Sequence, residues 1–231
     1  MNFGALPERL HHVRAEIARQ QAAGGWTHPV TIVAVTKGFG ADAVAAALAA
    51  GLTDIGENRV QEALDKMARP EAAGAAWHLI GHLQRNKAKR AVRLFEWIHS
   101  LDSPEIAGEV SRRAADLKKR LACLVEVNTS GDETKFGVHP EGALSLLRGV
   151  TDLGAIEIRG LMTLGPLTGG AEGARRAFRD LASIRKDAAR AGLLREDADL
   201  SMGMSDDFEI AIEEGATIVR LGVALFGGRP R

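Results

Sequence analysis

Three places along the chain carry side chains with evident chemistry. Lys37 closes the run Thr31-Ile32-Val33-Ala34-Val35-Thr36-Lys37, which reads as a strand buried on both faces, and Gly38 and Gly40 follow it. An amine held at the rim of an apolar structure has its charged form disfavoured by desolvation, and the neutral amine attacks an aldehyde to give an imine. Ser201-Met202-Gly203-Met204-Ser205-Asp206-Asp207 joins a strand pattern to a helical one, with Ser205 expected as the helix N-cap. The free N–H groups and the dipole of a helix start favour a phosphate there. Arg220-Leu221-Gly222-Val223 closes the last strand pattern, with a small residue where an anion can approach the backbone.

These three segments need a scaffold that brings them together, and the pattern of the chain provides one. Strand-like runs are expected at Thr31–Thr36, Asp54–Gly56, Trp77–Gly81, Trp97–Ser100, Ala122–Val127, Ile156–Met162, Leu200–Met202 and Ile218–Leu221. Helical spacing fills the gaps, at Ala41–Ala50, Arg59–Ala68, Asn86–Phe95, Pro104–Arg120, Pro140–Leu153, Gly173–Ala191 and Asp206–Glu214. Ser103-Pro104 and His139-Pro140 read as helix starts, and Gly51, Gly192 and Gly215 as helix ends. The alternation predicts an α/β fold, a single (β/α)8 TIM-type barrel over residues 1–231, with an open doubly wound sheet as the alternative. An extra N-terminal helix, Pro7–Gln20, has Leu10, Val13 and Ile17 on one face and is expected to take the eighth helix's place. Gly165–Gly173 reads as one long loop. In such a barrel the carboxyl ends of the strands carry the chemistry, which is where Lys37, Ser201–Ser205 and Gly222 fall.

Composition excludes much else. Thirty basic and thirty acidic residues cancel, which argues against a nucleic-acid partner, and the basic run Arg85–Arg90 reads as a solvated helix face. The most apolar run, Ala43–Leu52, is far short of the ~20 residues that a spanning helix needs, so no membrane association is expected. With one cysteine, Cys123, and no secretory signal pattern, the expected location is cytoplasmic. Cys123 is expected to be a buried structural thiol. His78 and His82 would lie about 13 Å apart along a strand, too far to share a metal, and no metal site is expected. There is no tyrosine, so no tyrosine acid, base or phosphate ligand is available.

An imine-forming lysine beside a phosphate pocket leaves two chemistries open. One is a class I aldolase acting on a sugar phosphate. The other is a protein holding pyridoxal 5′-phosphate (PLP), which carries both an aldehyde and a phosphate. The blocks AVTK (34–37), IGENRVQE (55–62), WHLIGHLQRNK (77–87), VNTSGDETKFG (127–137), GLMTL (160–164), LSMGMSDDFEIAI (200–212) and GATIVRLGVALFG (215–227) strongly resemble the pyridoxal phosphate homeostasis protein family. That family is similar to the N-terminal barrel of alanine racemase.

The resemblance implies that Lys37 holds PLP as a Schiff base, that Asn58 lies beside it, and that Ser201, Met202, Ser205, Gly222 and Val223 surround its phosphate. It implies that Arg220 faces the pyridine nitrogen, where a cation discourages ring protonation and weakens the cofactor as an electron sink. Arg59 stands where the family often has an aromatic residue. Lys135 matches a family lysine; it is expected to be a solvent-exposed loop residue, with a second PLP contact as the alternative. The implied function is non-catalytic: buffering PLP or delivering it to apo-enzymes in vitamin B6 homeostasis, as a monomer. The alternative is a PLP-dependent amino-acid racemase. Racemisation needs two bases on opposite faces of the α-carbon, and Lys37 supplies one. Alanine racemase takes the other, a tyrosine, from its partner subunit's C-terminal domain.

Overall fold

A computed structural model describes residues 3–166 and 168–228; residues 1, 2, 167 and 229–231 of the expected 1–231 unit lie outside them. The elements run α1 (Leu6–Gly24), β1 (Thr31–Val35), α2 (Ala41–Ala49), β2 (Asp54–Glu57), α3 (Val60–Met67), β3 (Ala76–Leu79), α4 (Ala88–Leu94), β4 (Trp97–Leu101), α5 (Pro104–Asp116), β5 (Leu121–Glu126), α6 (Ala143–Val150), β6 (Ile156–Met162), α7 (Gly170–Arg190), β7 (Asp199–Ser201), α8 (Phe208–Glu213), β8 (Ile218–Leu221) and α9 (Val223–Phe226). The strands pair in parallel in chain order, and β8 closes onto β1 with Leu221 opposite Ala34. The (β/α)8 barrel is therefore correct and the open sheet is not.

Period-two alternation sorts the strand residues into two environments. Outward residues such as Ile32, Ala34, Ile55, Leu79, Ile98 and Leu161 join the core between sheet and helices. Inward residues Val33, Leu124, Met162 and Ile218 form a separate, smaller cluster in the barrel lumen, against which Trp97 packs. The lumen thus has few apolar side chains, and polar ones fill the remainder.

The eighth helical slot is shared. α1 packs against α8, as expected, but also against α9, a short helix that the sequence pattern does not reveal. Phe3, Phe39 and Phe226 stack edge-on or tilted with centroids 5.3–6.1 Å apart, joining the α1 entry, the segment just after Lys37, and α9. Other boundaries also move. Ser103 caps α5, accepting from the Ile106 N–H at 3.4 Å, but the helix stops at Asp116 rather than Arg120. His139 makes no capping hydrogen bond, and Pro140–Gly142 is a 3-10 turn leading into α6. The loop expected at Gly165–Gly173 is already helical from Gly170.

One buried ion pair fixes the barrel's end next to Lys37. Lys66 of α3 donates to Glu57 Oε1 and, at 2.6 Å, to the Thr36 carbonyl, and Thr36 Oγ1 donates to Glu57 Oε1 at 2.5 Å. Glu57 is fully buried and Lys66 nearly so. Burial raises the Glu57 pKa, and the Lys66 charge and hydrogen bond work in the other direction. Thr36 and Glu57 directly precede Lys37 and Asn58, so the pair sets the departure of both segments. Replacing Lys66 with methionine leaves a buried carboxyl without its cation. We expect Lys66→Met to lower the denaturant midpoint by the equivalent of about 3 kcal/mol, and adding Glu57→Gln to recover much of it. A silent Lys66→Met would remove the pair from the account of the barrel's stability.

Candidate functional site

The expected residues gather at the carboxyl-terminal rim. Lys37 follows β1, Asn58 follows β2, Ser201 ends β7, and Arg220 to Val223 run from β8 into α9. Because β1 pairs with β8, Lys37 and Gly222 are neighbours around that rim. A Cβ added to Gly222 would lie 3.4 Å from the Val35 carbonyl oxygen, two residues before Lys37. Val33 faces the lumen and the alternation carries Val35 onto the same face, and Lys37 lies in the turn two residues beyond the end of β1. Lys37 itself is half-buried.

Ser205 is not the N-cap of its own helix. Asp207 holds that position, its Oδ1 accepting from the Met204 N–H at 2.6 Å, and α8 begins at Phe208. The Ser205 hydroxyl instead turns to the neighbouring turn, where Oγ accepts from the N–H groups of Gly222 (3.3 Å) and Ala224 (3.1 Å). Two backbone donors from the β8–α9 turn therefore converge on one oxygen. The close packing of this loop on α8 needs Gly203, whose φ of 92° favours glycine and whose added Cβ would fall 2.5 Å from the Ala211 Cβ. Val223 is half-exposed at the same turn.

Arg220 is buried and points across the lumen. Its Nη1 donates to Ser201 Oγ at 2.7 Å and its Nη2 to the Thr163 carbonyl at 2.8 Å. Burial pulls its pKa down to about 10, while Asp207 and Glu126 favour the charged form, so it remains a cation at neutral pH. Glu126, at the end of β5, is buried, and its Oε2 has no hydrogen-bond partner among the described residues. Burial, followed by the nearby charge of Asp102, pushes its carboxyl up to about 7, with Arg220 acting in the opposite sense. Ser201 Oγ also lies 3.0 Å from His99 Nδ1, His99 Nε2 lies 2.9 Å from His78 Nδ1, and His78 Nε2 lies 3.0 Å from Asp54 Oδ1. The sequence gives no hint of this polar chain, except that His78 and His99 sit at inward positions of otherwise apolar strands.

The remaining candidates separate. Met202 is buried in the outer core and its N–H is used by the Ile218 carbonyl, so its side chain does not join the donors at the rim. Asn58 is half-buried against Gly81, where an added Cβ would lie 2.4 Å from the Asn58 carbonyl oxygen. Arg59 is exposed and pairs with Glu62 at 3.6 Å. Lys135 is not a free surface lysine: it is half-buried, and its Nζ donates to the Gly165 carbonyl at 2.7 Å, tying the β5 and β6 loops together. Arg85, Lys87, Lys89 and Arg90 are exposed, as expected of a solvated face. His82 leaves the lumen, pairs with Asp102 at 3.2 Å and stacks on Phe136, so it shares nothing with His78. Cys123 is fully buried, and burial pushes its thiol pKa up. No group of metal-ligating side chains, and no helix long and apolar enough to cross a membrane, occurs among the described residues.

The site can thus present an amine, paired backbone donors aimed at one oxygen, and a buried cation. That donor set fits an aldehyde carrying a phosphate and an aromatic ring nitrogen. Comparison with known proteins points the same way. Residues 9–230 match the family model described as alanine racemase, N-terminal domain. The chain is 42% identical over 229 residues to a pyridoxal phosphate homeostasis protein of Pseudomonas aeruginosa, covering 98% of this chain and 97% of that one. It is 39% identical over 223 residues to the protein of the same name from Aquifex aeolicus, covering 96% and 97%. Among solved structures, PipY of Synechococcus elongatus with PLP bound is 35% identical with a TM-score of 0.84, covering 96% of this chain and all of that one. An alanine racemase of Clostridium difficile is 15% identical with a TM-score of 0.76 and shares the fold, this chain covering 60% of its length. The chain belongs to the family of pyridoxal phosphate homeostasis proteins, built on the barrel of the alanine racemase N-terminal domain.

Proposed function

We propose that this protein holds PLP and serves to buffer it or hand it to apo-enzymes in the cytoplasm, acting as a monomer and without turning over amino acids. The observation that carries the reading is the convergence at the β8–α9 turn. Two backbone N–H groups meet on the Ser205 oxygen just after the strand that carries the buried Arg220, with Lys37 beyond the end of the adjacent strand. The Gly222 and Ala224 amides and the Ser205 hydroxyl would hold the phosphate. Arg220 would face the ring nitrogen, Asn58 would flank the ring, and Ser201 would orient Arg220. When bound, PLP supplies an aldehyde for Lys37 and a ring that can accept electrons. A cation facing that ring disfavours its protonation, which limits carbanion chemistry.

Borohydride reduction of PLP-loaded protein followed by peptide mass analysis is expected to place the adduct on Lys37, and Lys37→Ala to lose the visible absorbance of the bound cofactor. A Lys37→Ala protein that stays yellow would remove Lys37 from the assignment. Loaded protein mixed with a PLP-requiring apo-enzyme is expected to reactivate it, while showing no racemisation of common amino acids at enzyme-like rates. Clear turnover would favour the racemase reading.

Glu126 gives a pH signature. Its carboxyl rises to about 7 in the folded chain from about 4.3 in an unfolded one. A raised carboxyl pKa means that the folded state binds the proton more tightly. The associated stability is therefore whole below the unfolded value and is lost as pH rises through about 7. Glu126→Gln, which cannot ionise, should melt higher than the wild type above that pH and approach it near the unfolded value, read as Tm against pH without cofactor.

A further inference from the structure

Taking the proposed function as the reading of the site, we propose that Asp54, His78 and His99 are positioning residues. They form a one-way hydrogen-bond relay through the lumen, which orients the Ser201 hydroxyl so that its lone pair holds Arg220 toward the cofactor.

The relay starts at the amino-terminal mouth. Asp54 opens β2, is partly exposed there, and accepts from His78 Nε2 at 3.0 Å. The nearby His78 lowers the Asp54 pKa, first through the hydrogen bond, so this end is a fixed acceptor. Each later link then follows. With its Nε2 proton committed to Asp54, the Nε2–H tautomer of His78 offers Nδ1 as an acceptor, and His99 Nε2–H donates to it at 2.9 Å. His99 is completely buried, and its pKa falls well below the ordinary value through burial, then through His78 and Arg220. Neutral His99 leaves Nδ1 bare, so the Ser201 O–H donates to it at 3.0 Å. The Ser201 lone pair then accepts from Arg220 Nη1 at 2.7 Å. Every member is used once as donor and once as acceptor between a carboxylate at one mouth and a guanidinium near the other.

The opposite orientation fails at a named atom. A doubly protonated His78 would donate to His99 Nε2, forcing His99 Nδ1–H onto Ser201. Ser201 would then receive two donors and its own proton would have no acceptor among the hydrogen bonds of the described residues. It would also add a second cation to the lumen that already holds Arg220. Trp97, stacked on His78 at 5.4 Å between centroids, holds that ring in plane from the next strand. The relay therefore links a partly exposed carboxylate on the far mouth to the guanidinium that would face the ring nitrogen.

Long-range proton–nitrogen NMR of the full chain without cofactor tests the relay directly, with His78 and His99 assigned by the signals that His78→Gln and His99→Asn remove. Both rings are expected as neutral Nε2–H tautomers at neutral pH. A His99 Nδ1–H tautomer, or a doubly protonated His78, overturns the relay. Affinity for PLP, measured by equilibrium dialysis, tests its consequence. His99→Leu removes the acceptor of the Ser201 proton and is expected to weaken binding about ten-fold. His99→Asn, whose side-chain oxygen stands near the place of Nδ1, is expected to restore most of it. Asp54→Asn, at the opposite mouth, guards against misfolding of the lumen variants, and is expected to mix the His99 tautomers and weaken binding about three-fold. If wild-type protein binds PLP while His99→Leu and Asp54→Asn bind equally well, the relay alone is overturned. If the wild type does not bind PLP, the reading of the site falls as well.

Discussion

The burial of one guanidinium constrains the rest of this barrel. Arg220 is 3% exposed, in a lumen where a small apolar cluster of Val33, Leu124, Met162 and Ile218 is its non-polar surrounding. An unpaired charge in such a place costs several kcal/mol even after relaxation, so every group near it has to contribute. Ser201 and the Thr163 carbonyl accept hydrogen bonds from it, and Asp207 and Glu126 supply nearby acidic groups. Asp207 is itself held by the Met204 N–H, within the turn that carries Ser205. The chain of histidines beyond Ser201 completes the compensation by providing an acceptor for its hydroxyl.

Much of the fold was legible because a closed parallel barrel writes a simple pattern. Strands buried on both faces read as β-branched runs, and helices with one apolar face read at spacings of three and four. The boundaries failed where local chemistry was short or ambiguous. Val223-Ala224-Leu225-Phe226 is a helix of a single turn and reads equally well as more strand. Ser205 has the residue type of an N-cap, yet the helix starts three residues later behind Asp207, and the serine hydroxyl accepts from the neighbouring β8–α9 turn instead. Pro140 marks a helix start correctly, but its first turn is tighter than an α-helix.

The site was legible in a different measure. Lys37 and Gly222 stand out because strand ends in such a barrel face one mouth, whereas Arg220 acquires its expected role only through the family resemblance. The residues that position them do not stand out. His99 meets Ser201 across 102 residues, and Glu57 meets Lys66 from a strand to the following helix. A strand that is buried on both faces conceals which of its polar residues point inward and what they meet. Periodicity assigns His78 and His82 to one face of an extended strand. The chain, however, leaves the strand after Leu79, so the two rings end in separate environments.

Two separate structures hold the two halves of the proposed site. Lys37 is fixed from outside the sheet, through Thr36, Glu57 and Lys66 of α3, whereas Arg220 is fixed from inside the lumen. Because the anchors share no residue, the amine and the guanidinium are each held without depending on a bound ligand. That division suits retention of a cofactor. With a pKa of about 10, Arg220 remains charged across the neutral range, so a ring nitrogen facing it meets a permanent cation rather than an acid group able to protonate it. Of the acidic groups near the guanidinium, Glu126 is the one whose pKa approaches neutrality, and it faces that cation as a carboxyl that titrates near 7.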